Sequence, residues 1–87
     1  MTNLKIEVTK EHIEKGMFYE PRLCPVALAC KDKKIKFKYE NGVSRIDIDG
    51  YFENRHFRFP TPVEVRSFIR SFDRQKPVKP FVFFIKL

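Results

Sequence analysis

Residues 34–49 read Lys34-Ile35-Lys36-Phe37-Lys38-Tyr39-Glu40-Asn41-Gly42-Val43-Ser44-Arg45-Ile46-Asp47-Ile48-Asp49. The Asn41-Gly42 dipeptide at their centre is a preferred pair for a two-residue type I′ turn, because both central positions need positive φ. Such a turn sets Glu40 against Val43 and fixes every pair further out. Phe37 then faces Ile46 and Ile35 faces Ile48 on one side, while Lys36 faces Asp47 and Lys34 faces Asp49 on the other. Cross-strand pairs of these kinds contribute about 0.2–1 kcal/mol each. A slip of one residue would set each lysine against an isoleucine, so the pattern specifies the hairpin as well as permitting it.

C-terminal to the hairpin, Gly50 is expected to end the second strand, and Tyr51 to Phe59 to form another. That strand carries Arg55, Phe57 and Phe59 on one face and His56 and Arg58 on the other, and Pro60 stops it. Thr61-Pro62-Val63-Glu64 has the form of a capping box with proline at the first helical position. The helix it starts runs over 62–73, with Val65, Phe68, Ile69 and Phe72 as an apolar stripe at i, i+3, i+4 and i+7. Lys76-Pro77-Val78-Lys79-Pro80 is a stiff connector. Phe81 to Leu87 forms a closing strand that is apolar on both faces and therefore expected to be central or well covered.

N-terminal to the hairpin, Pro25 opens a short buried helix through Cys30. Met17 to Arg22 is a connection. Thr9 caps a helical turn through Glu14, with Gly16 as its left-handed exit. Leu4, Ile6 and Val8 alternate with Lys5 and Glu7 as a first strand. The expected fold is an α+β single domain over 1–87: a largely antiparallel sheet of about five strands, the main helix 62–73 packed across it, and short N-terminal helices.

Composition narrows the function classes. The 87 residues are 43% hydrophobic and 33% charged, and ten Phe with three Tyr can supply a core. The longest apolar run, Phe81 to Ile85, falls far short of the roughly 18 residues a membrane span needs, and no leader pattern opens the chain. Two cysteines are too few for a disulfide framework. A cytoplasmic protein without a membrane partner is expected.

Eighteen Lys and Arg against eleven Asp and Glu leave a net charge of +7. Residues 1–54 carry ten basic and nine acidic side chains, whereas residues 55–87 carry eight basic and two acidic. The C-terminal third therefore holds the field that attracts nucleic acid or an acidic protein.

Two blocks resemble known sequences. Arg22-Leu23-Cys24-Pro25-Val26-Ala27-Leu28-Ala29, and the run from Val65 to Phe83 built around Phe68-Ile69, Phe72-Asp73, Val78 and Pro80-Phe81, resemble small uncharacterised proteins encoded by phages and prophages. Those proteins share a Cys-Pro-Ile/Val-Ala-Leu-Ala segment and a late Phe-Ile, Phe-Asp, Pro-Phe pattern. Gln75 departs from the glycine expected after the Phe-Asp pair, which puts strain at the helix exit. The resemblance implies a phage-accessory context and no assigned activity.

Arg66, Arg70 and Arg74 recur at i, i+4 and i+8, about 6 Å per step along one helix flank. Guanidinium forks bind phosphate or carboxylate bidentately, and Arg58, Lys76, Lys79 and Lys86 can extend the surface. The bland alternative is a solvated flank. The row Lys34, Lys36 and Lys38 is expected to be mostly neutralised by Asp49 and Asp47, which are by the same token a weak magnesium site. Cys24 precedes a helix N-terminus, where the dipole favours the thiolate, and with His12 or His56 near it could act as a nucleophile; the alternative is a small buried hydrophobe. Cys24 and Cys30, about 120° and 9 Å apart on a helix, are not expected to pair. The aromatics of the sheet, Tyr51 and Phe84 among them, could stack on bases, against a core role.

The sequence thus predicts a non-enzymatic basic protein of phage origin without cofactor or metal. Its partner would be nucleic acid, a nucleoprotein complex or an acidic host protein, and an inhibitor of host defence of the anti-CRISPR kind is one instance. Two alternatives are a protein-only adaptor or homodimer with an apolar interface, through the closing strand or an open sheet edge, and a small Cys24-dependent enzyme.

Overall fold

The computed structural model describes residues 3–38, 42–44 and 46–87. In chain order the elements are β1 (Asn3–Val8), α1 (Lys10–Lys15), α2 (Pro25–Asp32), β2 (Lys36–Phe37), β3 (Asp47–Phe52), β4 (Arg55–Pro60), α3 (Val63–Asp73) and β5 (Phe81–Lys86). The fold is α+β. Its five strands are antiparallel but divide into two sheets, β1-β5 and β2-β3-β4.

The chain ends meet in the first sheet, where Leu4 opposes Ile85, Ile6 opposes Phe83 and Val8 opposes Phe81. Alternation turns Ile6, Val8, Phe83 and Ile85 inward, and Val82 and Phe84 outward at 47% and 53% exposure. The expectation that β5 is central or well covered is therefore corrected. Among the described residues it pairs with β1 alone.

The hairpin register is also corrected. Lys36 opposes Tyr51 and Phe37 opposes Gly50, in place of Lys36 with Asp47 and Phe37 with Ile46. Tyr39, Glu40 and Asn41, and with them the Asn41 half of the expected turn and the Glu40–Val43 pair, lie outside the described residues. Beyond them the chain is drawn elsewhere. Gly42, at φ +59°, lies so close to Pro21 that a Cβ would meet its carbonyl oxygen at 2.4 Å, and the Val43 amide donates to that oxygen at 3.1 Å. Val43 bridges Ile48, and Ser44 closes a turn on Asp47. Ile46, expected on the buried face, is 81% exposed.

Gly50 does not end β3. It is buried mid-strand, where a Cβ would stand 2.4 Å from the Lys36 carbonyl oxygen, so only glycine lets β2 approach. The expected single strand over Tyr51–Phe59 instead reverses at Glu53 and Asn54, whose φ values of 52° and 65° form the two-residue turn that sets Phe52 against Arg55.

Helix α3 buries Val65, Phe68, Ile69 and Phe72, in one core with Ile6, Val8, Ile48, Phe83 and Ile85. Phe68 meets Phe81 at 4.7 Å between ring centroids. The capping box at its start does not form. Pro62 occupies the cap position, and the buried Thr61 hydroxyl donates 2.8 Å to the Ser44 carbonyl, tying the helix entrance to the loop before β3. Gly16 has φ −67°, so it is not a left-handed exit; it is needed because a Cβ there would meet the Pro25 ring at 2.6 Å.

Candidate anion-binding surface

Helix α3 positions the basic row. Its apolar stripe turns one side to the core, and at 100° per residue Arg66 and Arg70 fall on the side away from it, with Arg74 at the C-cap continuing the line. All three are exposed, and none forms an ion pair among the described residues. Of the two acids of this third, Glu64 stands on the opposite flank, and Asp73, one turn past Arg70, accepts from the Tyr19 amide at 2.9 Å and forms no ion pair with the row among the described residues.

The row ends where Gln75 takes φ 59°, with its amide donating to Phe72 and the Lys76 amide to Ser71, which is the Schellman pattern. Lys76 follows on the exposed exit. Lys79 lies around the helix from the arginines, in a groove shared with Ser67, Ser71 and β5. Lys86 stands on the outer side of β5, opposite Asn3.

Arg58 does not join this surface as a free cation. On the outer face of β3-β4 its Nε lies 3.2 Å from Asp47 and its Nη2 3.3 Å from Asp49. Asp49 also takes a 2.5 Å hydrogen bond from His56 Nε2. That bond, with the charges of His56, Arg58 and Lys38, outweighs partial desolvation and holds the Asp49 carboxyl below the usual carboxylate range.

The lysine row needs the converse correction. Because Asp47 and Asp49 face Arg58 and His56, they do not neutralise Lys34 and Lys36. Lys34 is not in a strand; it sits at φ 64° just past α2. Lys33, Lys34 and Lys36 are exposed and form no ion pair among the described residues. The run of lysines is plain in the sequence; only the assumed register concealed it.

Cys24 is buried at the N-cap of α2, where its Sγ accepts from the Ala27 amide at 3.4 Å. Burial pushes its thiol up despite the helix amides, which reverses the expected thiolate. Cys30 is buried too, its thiol pushed further up, and both are free. Neither histidine attends Cys24. His12 is the third residue of α1 and closes its capping box: Nδ1 accepts from the Thr9 amide at 2.9 Å, which leaves Nε2 to donate to Asp32 at 2.5 Å.

Among the described residues no helix is long and apolar enough to cross a membrane. Comparison with protein-family models, curated proteins and solved structures finds no match for this chain.

Proposed function

We propose that this protein is a non-enzymatic binding protein that docks the α3 row Arg66, Arg70 and Arg74, extended by Lys76 at the helix exit, on an anionic partner; Lys79, around the helix, is not part of the row. Nucleic acid, free or within a nucleoprotein, is the first choice. What carries the reading is the exposed guanidinium row, about 6 Å per step and without ion pairs among the described residues. The resemblance to phage and prophage proteins adds a setting, inhibition of a nucleic-acid-handling host defence being one such role.

Anisotropy of labelled single-stranded and duplex oligonucleotides tests it. Log K should fall with log salt at a slope of about −3 to −5, and Arg70→Ala should weaken binding to all sequences alike while reducing that slope by about one. Unchanged affinity in the triple alanine variant removes the row from consideration. If no oligonucleotide binds at low salt, nucleic acid is removed as the partner, and the row meets either a specific protein surface or only water.

A second reading, a homodimer, is favoured by one observation. The outer edge of β5 makes no backbone hydrogen bonds among the described residues, and Val82 and Phe84 are exposed beside it.

A further inference from the structure

Three lysines outside the C-terminal third line one cleft. We infer that Lys33, Lys34 and Lys36, with the ring of Tyr51, form a second site that takes a nucleotide unit: a phosphate on the lysines and a planar base on the ring. The site is distinct from the α3 row and does not depend on it.

The geometry follows from the corrected register. Because Lys36 opposes Tyr51, their side chains share the outer face of the three-stranded sheet. Lys33 is the C-cap of α2 and Lys34 the next residue, so the helix end delivers two more cations to the same place. Together they line a cleft of about 460 Å³ between the helix end and the β3-β4 turn. Small-molecule sites occupy roughly 300–1,000 Å³, so the cleft has room for a mononucleotide.

Its walls divide by chemistry. Tyr51, 37% exposed, leans on His56 at 5.4 Å between rings, which leaves an aromatic surface steadied from one side. Asn54, at the turn, brings an amide with both donor and acceptor to the ring side. Two acids, Asp32 and Glu53, also border the cleft, so its three lysines leave it a net charge of +1. Asp32 accepts from His12, which turns it from the lysines, and Glu53 forms no ion pair with them among the described residues.

The ordinary explanation of lysines past a helix end is favourable interaction with its negative dipole. Lys31, in the last turn of α2, already answers to that explanation. Lys34 takes φ 64° as the left-handed residue of the α2 exit, which the fold alone explains, but Lys36 lies on β2, beyond the last turn in which the dipole acts. An anionic ligand accounts for Lys36.

The test is an amide chemical-shift titration of the whole chain with adenosine 5′-monophosphate, inorganic phosphate, adenosine and a short oligothymidylate. Saturable shifts confined to Lys33–Lys36 and Tyr51–Asn54 with the mononucleotide, tighter than with phosphate or adenosine alone, are expected. Lys34→Gly relieves the backbone while removing a charge, so it should weaken mononucleotide binding roughly tenfold in a fold at least as stable; Lys36→Gln should do likewise. If the oligonucleotide binds this cleft more tightly than the mononucleotide, the nucleotide belongs to a strand; if it does not, to a free ligand. Equal binding of inorganic phosphate and mononucleotide, shifts only along α3, or unchanged affinity in both lysine variants would overturn the site. Because the α3 arginines are intact in these variants, its failure is separable from failure of the row.

Discussion

Gln75 and Lys34 hold φ of 59° and 64° at the exits of α3 and α2, each with the hydrogen-bond pair of a Schellman motif. A side chain in that region costs about 1–2 kcal/mol against the right-handed one. Replacing it by glycine removes the strain and returns part of the gain as freedom of the unfolded chain. Gln75→Gly should therefore stabilise the protein by about 0.5–1 kcal/mol, read as a higher urea midpoint at unchanged slope; a lower midpoint would show that the Gln75 side chain makes a compensating contact. Gly50 is the opposite case. Its missing Cβ is what lets the Lys36 carbonyl approach, and no local pattern announced that, because the close approach comes from another strand.

The β3-β4 hairpin turns at Glu53 and Asn54, a pair that falls inside the single strand expected from the sequence. Between β2 and β3 the register is set by tertiary contacts rather than by counting out from a turn, the Val43 amide being held by the Pro21 carbonyl. The true hairpin joins Asp49 to His56 and Arg58, which gives the outer face its own pH dependence. The folded Asp49 carboxyl titrates below its ordinary value of 3.8. Its contribution is therefore complete above that value and lost as pH falls through the depressed one. Urea midpoints between pH 5 and pH 2 should fall more steeply in the parent than in Asp49→Asn; parallel curves would mean the pair adds nothing to stability.

Across the molecule, α3 and the two sheets share one core, and what is left outside is uneven: a guanidinium row, a lysine cleft, and the free edge of β5. The first two predict association that weakens with salt, because counterions are released. The edge predicts the reverse. Light scattering over a wide protein concentration range in high salt should detect a dimer if β5 edges pair, and Phe84→Asp should return it to monomer. A monomer at every concentration would remove the homodimer reading and leave the charged surfaces as the means of association.

The sequence by itself determined the α+β class, the inward face of β1, the apolar stripe of α3 and the arginine row. Each follows from a period read within one element, where side-chain direction is a consequence of helix or strand geometry. Tertiary structure decided the strand register, the division into two sheets, and which acids meet which bases. Asp47 and Asp49 could have faced the lysines or Arg58 with equal local sense; the approach of Gly50 to Lys36 and the tie of Thr61 to Ser44 chose Arg58. One register thereby neutralised a cation that composition had counted as free and released the lysines it had counted as paired, because charge pairing across a sheet depends on contacts between residues distant in the chain.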